Sequence, residues 1–168
     1  MGGETGGLVN DAAGHFRTVS VRFCKLVDDY AGADWTDFQS ELRRSLAHLV
    51  AVAYALPLVE PSSTECHSIP LQRWQQLYGR LKERLEVQEY WLVFSPLDHN
   101  DHEPVCADLA DDLADIWRDL QSGLLATDPD DAVWRWRFSF HSHWGSHATA
   151  ALACLQRASN ESSDDKRR

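Results

Sequence analysis

The sequence predicts an all-α fold, an antiparallel bundle of about five helices, with room for one short extended segment near residues 90–94. Three observations point there. Apolar residues recur at intervals of three and four over long spans, the repeat of one face of an α-helix. Asp, Asn, Ser and Pro stand where those spans begin, and Gly or Pro where several end, which is where caps and stops belong. The 168 residues are 43% hydrophobic and 25% charged, enough for one packed core in an ordinary globular domain.

The first helix is expected from Asp11 to Ala31. Its inner face is Ala12, Phe16, Val19, Phe23, Leu26 and Tyr30, with Asn10 or Asp11 as cap and Gly32 as stop. The second runs from Trp35 to Leu56, with Asp34 as N-cap, Asp37 in the first turn and Pro57 ending it. Its stripe is Phe38, Leu42, Leu46, Leu49 and Ala53. A polar loop covers 57–68. The third helix starts near Pro70, capped by Ser68, and reaches about Val87 with Leu71, Trp74, Tyr78, Leu81 and Leu85 inward. Tyr90 to Phe94 is apolar throughout and ends at Pro96; it reads equally as a strand or a buried extended segment.

The fourth helix is expected from Pro104 to about Leu125, on the stripe Leu109, Leu113, Ile116, Leu120 and Leu124. Asp128-Pro129-Asp130-Asp131 is a strong start for a fifth, running to about Ala158. One pattern competes: Trp134, Trp136, Phe138 and Phe140 alternate with polar residues as in a strand. The longer stripe Val133, Trp136, Phe140, His143, His147, Ala151 and Cys154 decides for a helix. Residues 1–8 and 159–168 read as disordered, leaving one domain over 9–158. The seven Trp residues are assigned to the core and its rim, with an aromatic ligand pocket as the alternative.

The balance of 16 Lys and Arg against 26 Asp and Glu leaves a formal charge of −10, which repels phosphate backbones and argues against a nucleic-acid partner. The apolar runs are too short and interrupted to span a bilayer, and a membrane partner is not expected. Gly6 stands where a myristoylation signal needs Ser or Thr. Cys24, Cys66, Cys106 and Cys154 are widely spread without a CxxC. With no secretory signal, that pattern favours the cytoplasm and makes the Asn160-Glu161-Ser162 sequon fortuitous.

Two constellations carry possible chemistry. Asp108, Asp112, Asp115 and Asp119 are spaced four, three and four, with Asp111 beside them. They form an acidic stripe one residue from the apolar one. Stacked carboxylates weaken a helix unless something offsets their repulsion. Arg118 and the arginines of the fifth helix are candidates, and so is a divalent cation. His141, His143 and His147 form the second set, with His143 and His147 four apart on one face. That spacing suits a shared Zn²⁺ or Fe ion. HExxH is absent, because Trp144 follows His143. No P-loop or GxSxG occurs, and Ser139 and Ser142 lie too close to His143 along one helix for a nucleophile–base pair.

Asp111-Asp112-Leu113-Ala114-Asp115-Ile116-Trp117-Arg118-Asp119-Leu120, with Gly123-Leu124 after it, resembles the signature of a bacterial domain-of-unknown-function family. So does Trp136 to Phe140 leading into His143-Trp144-Gly145-Ser146-His147-Ala148. Fainter echoes are Phe23-Cys24, Ala55-Leu56-Pro57 and Val93-Phe94-Ser95-Pro96. The family has Tyr where this chain has Trp117. The resemblance spans most of the chain and implies a bacterial, helical, cytoplasmic protein; it implies no activity.

Two functions are compatible with these residues. The favoured one is a non-catalytic helical module that binds a protein or small molecule, its Asp, His and Arg residues satisfying one another. The alternative is a metal-dependent hydrolase of a phosphoester or nucleotide, with Asp112, Asp115, Asp119, His143 and His147 holding the cation. Asp108, Asp111, Arg118, Trp136 and Trp144 would support that site. No cofactor is fixed by the sequence beyond this candidate divalent metal.

Overall fold

The apolar repeats are realised as helices in a computed structural model that describes residues 4–32, 34–62, 68–93, 95–100 and 102–165. Cys66, Phe94 and the outermost residues of both termini lie outside the described part. The elements are α1 (Glu4–Asp29), α2 (Trp35–Ala53), α3 (Leu71–Arg84), β1 (Glu89–Val93), β2 (Pro104–Asp108), α4 (Leu109–Leu124), α5 (Pro129–Ser139), a π-helical turn (Phe140–Trp144) and α6 (Gly145–Asp165). The all-α expectation holds, with a two-stranded antiparallel ribbon added. α1 starts before Asp11, and α6 runs past Ala158.

α4 is the central post, packed against α1, α3, α5 and α6. Its sequence explains that place: Leu109, Leu113, Ile116, Trp117 and Leu120 are all buried, and the small Ala110, Ala114 and Gly123 let neighbours approach on other sides. A Cβ on Gly123 would lie 2.1 Å from Trp136 Nε1, so only glycine admits that indole. Trp117, Trp136 and Trp144 are fully buried. Each indole N–H finds an acceptor, respectively Asp28 at 3.0 Å, the Leu120 carbonyl at 3.0 Å and the Trp136 carbonyl at 3.2 Å. Removing such a ring costs about 3–5 kcal/mol. These three tryptophans are core, in line with the assignment to core and rim, whereas Trp91 is exposed.

Three expectations are corrected. Residues 104–108 are a strand and not the first turn of a helix; Pro104 starts β2, and Asp108 caps α4 by accepting from the Ala110 N–H at 2.9 Å. Tyr90–Val93 is the partner strand, with Trp91 opposite Cys106. α3 buries Leu77, Leu81 and its C-cap Leu85, while Leu71 is exposed and Trp74 and Tyr78 are only half-buried.

The third correction concerns the long fifth helix, which is interrupted. The N–H of Gly145 reaches back to the carbonyl of Phe140, five residues earlier, the mark of a π turn. A Cβ on Gly145 would come within 2.3 Å of that oxygen, so glycine is required there. The wide turn rotates the start of α6 relative to α5. Trp144, Ala148, Ala151 and Leu155 continue the buried stripe, and His143 and His147 stand beside it, half-exposed, and not within it.

Candidate metal centre

α4 and the turn-plus-α6 segment lie against each other, so the acidic stripe of one meets the His pair of the other. His147 Nδ1 lies 2.7 Å from Asp112 Oδ1, and His143 Nδ1 lies 2.8 Å from Asp119 Oδ2. A carboxylate only accepts, so each imidazole is the donor through Nδ1, which leaves each Nε2 as a lone pair in the neutral ring. Both Nε2 atoms lie near Asp115: Oδ2 is 3.5 Å from His143 Nε2 and 3.8 Å from His147 Nε2. The three ligand atoms lie within 4.8 Å of one another.

The far sides of these groups are held. Asp115 Oδ1 accepts from Trp74 Nε1 at 2.8 Å and lies 2.9 Å from Arg118 Nη2. Asp112 Oδ2 accepts from the Tyr90 hydroxyl at 2.6 Å. Three elements thus fix two carboxylates: α3 through Trp74, β1 through Tyr90 and α4 through Arg118. Asp112 and Asp115 are buried, against the edge position read from the sequence, while the side chains of His143 and His147 keep 37% and 25% of their surface. One side of the cluster therefore faces solvent.

The electrostatics are set by this packing. The hydrogen bond to Asp112 pushes His147 above its ordinary pKa, against the burial that opposes it. Burial raises Asp119, and its bond to His143 offsets only part of that. Burial and the neighbouring Asp115 raise Asp111. Burial also raises the Tyr90 hydroxyl, helped by the bond to Asp112, so that group stays a donor.

Asp108 stands apart. It accepts from Tyr78 at 3.0 Å and Lys82 at 2.8 Å and reaches neither histidine. Trp136 and Trp144 belong to the core, not to the cluster. His141 is exposed. Of the fifth-helix arginines, Arg137 turns away, to the Leu56 carbonyl at 3.0 Å. Sequence reasoning missed Trp74, Tyr78, Lys82 and Tyr90 as partners of the carboxylates. The usable signal was that a Trp or Tyr near a core needs an acceptor for its polar atom.

Among the described residues no helix is long and apolar enough to cross a membrane. No curated protein matches the sequence. The structure is similar to the crystal structure of protein BF1032 from Bacteroides fragilis, at 19% identity and a TM-score of 0.71, covering 85% of this chain and 89% of that one; at that identity the likeness speaks to the fold alone. The sequence profile of a domain of unknown function, DUF5063, matches residues 8–160, and the chain belongs to that family.

Proposed function

We propose that this domain holds one divalent transition-metal ion between His143, His147 and Asp115, and that the open side of the ion binds water or a small ligand. A single observation carries the reading: three candidate ligand atoms converge while the opposite atom of each group is already engaged. With both rings neutral, the three acceptors facing one another repel. Separations of 3.5 and 3.8 Å are too long for good hydrogen bonds. They are close to the spacing of about 3.4 Å between neighbouring ligands of a tetrahedral ion with bonds of about 2.0–2.1 Å. The Asp112–His147 and Asp119–His143 pairs have the form of the carboxylate–imidazole contacts that orient metal-bound histidines.

Two nitrogens and one oxygen suit Zn²⁺, Fe²⁺ or Co²⁺ over Mg²⁺ or Ca²⁺. With three protein ligands, such an ion retains a position for water, lowers that water's pKa and polarises a bound carbonyl or phosphoryl group. Metal-assisted hydrolysis is the reaction class this supports. The acidic chain suits a small substrate and not a nucleic acid, and the cysteine pattern suits the cytoplasm.

A second reading, the non-catalytic module, is favoured by the same short contacts. Two imidazolium rings and Arg118 would balance Asp112, Asp115 and Asp119 with no ion. Elemental analysis of protein purified without chelator, followed by zinc titration of the metal-stripped protein, separates the two. The metal reading expects one site per chain that disappears in a His143→Ala/His147→Ala double variant. A wild-type protein that carries no metal and takes up neither zinc nor cobalt ends it.

A further inference from the structure

We propose that His15 on α1 and His48 on α2 form a second, exchangeable site for a late transition-metal ion, copper(II) or nickel(II), which bridges the two helices at the surface. The site is separate from Asp115, His143 and His147 and does not rest on the metal reading there.

The two imidazoles come from helices that pack against each other. Their ring centroids are 5.4 Å apart and their planes are inclined by 54°, so the rings are neighbours without being stacked. Both residues are exposed, and no hydrogen bond among the described residues engages either ring. A neutral imidazole keeps one nitrogen lone pair. Its torsion next to the ring is broad, so an exposed ring turns either nitrogen toward its neighbour at little cost. Two imidazoles on one ion, with bonds of about 2.0–2.1 Å, have their centroids about 4.5–5 Å apart. The pair reaches that spacing by a small closing movement of two side chains, with both helices in place.

The surroundings favour a cation. Asp11 is exposed and stands one turn before His15 on α1, on the same side of the helix. Arg44, one turn before His48 on α2, is engaged by Glu41 at 2.7 Å. The formal charge of −10 adds a general attraction. No third His, Cys, Asp or Glu converges on the pair among the described residues, so water fills the other positions and the ion exchanges. Imidazole ligands suit copper(II) and nickel(II), and copper(II) heads the order of affinity. Zinc, below copper(II) in that order, is held too loosely here to survive dialysis, and the pair adds nothing to zinc retained at Asp115.

The test is a copper(II) titration of the full-length protein, followed through the NMR signals of individual histidine ring protons, which a bound copper(II) ion broadens. Signals read residue by residue keep this site apart from any ion at His143 and His147, so the two readings fail separately. The His15 and His48 signals are expected to broaden together, with one midpoint. In His48→Gln the midpoint for His15 should move to about tenfold or more copper(II), because a second ligand held within reach acts at high effective concentration. His15→Gln should do the same to His48. Both positions are exposed, so neither substitution disturbs the core. Three results overturn the proposal: neither signal broadens, the two broaden with different midpoints, or His15 in His48→Gln keeps the wild-type midpoint.

Discussion

The N-cap and the middle of α4 carry the same residue type in opposite company. At the N-terminal end, Asp108 caps the helix and meets only donors: the Ala110 N–H, the Tyr78 hydroxyl and the Lys82 ammonium. About two turns further on, Asp115 has donors on one oxygen and two imidazole Nε2 atoms at 3.5 and 3.8 Å from the other. Asp108 is complete without anything added. Asp115 is complete only with a cation or with protons on the histidines. Spacing along a helix thus puts carboxylates in a row, and the neighbouring elements decide what each one does.

The strongest way to break this contrast is to remove a ligand. His147→Ala should abolish stoichiometric metal uptake, read by elemental analysis after dialysis, while the fold persists by circular dichroism. Next in size is Gly145→Ala. Its Cβ would press on the Phe140 carbonyl at 2.3 Å, so stability in urea should drop by about 1–3 kcal/mol, as in overpacked cores. Metal affinity should fall too, because the π turn sets the phase between His143 and His147. If that variant is as stable as wild type and binds metal normally, the turn has no part in building the site.

Asp112→Asn and Asp119→Asn sharpen the contrast. Each keeps the shape but weakens the hold on one imidazole, and metal affinity should fall about 10–100-fold, the usual effect of such outer partners. Asp108→Asn is the control at the N-cap. Zinc affinity should not change, and the loss of stability should be no more than about 1 kcal/mol, because Asn still caps. Its effect should depend on pH with a definite sign. Burial works against ionised Asp108, but Lys82, the Ala110 N–H and Tyr78 together outweigh it and hold its pKa below the ordinary value. The ionised group's contribution is therefore fully present above about pH 3.9. It is lost as pH falls through the lower folded value. Denaturation of wild type and variant at pH 6 and pH 2.5 checks this, and a gap that widens in acid contradicts it.

Much of the fold was legible because the apolar stripes are long. Leu42, Leu46 and Leu49 are buried as their spacing requires, and Asp34, Asp128 and Pro129 stand at helix starts as read. The meeting of Asp112, Asp115 and Asp119 with His143 and His147 was also within reach, since two consecutive helices joined by a short loop pack antiparallel. What escaped was geometry that no periodicity encodes. The π turn adds a residue to one turn, so a stripe counted by threes and fours drifts onto His143 and His147 when the chain actually buries Trp144 and Ala148. β2 was hidden because Pro104 reads as a helix start and Val105-Cys106-Ala107 is too short to show alternation. Trp74 and Tyr90 looked like core residues, because a single chain of letters does not say which acceptor a buried indole or phenol will find.

The decisive measurement is anomalous X-ray diffraction at the zinc absorption edge from crystals of zinc-loaded protein. One peak is expected, about 2.0–2.2 Å from His143 Nε2, His147 Nε2 and an Asp115 oxygen, with the Asp112 and Asp119 contacts to Nδ1 intact. Crystals that bind zinc elsewhere or not at all, with both ring nitrogens of each histidine turned to carboxylates, would contradict a metal centre built on Asp115.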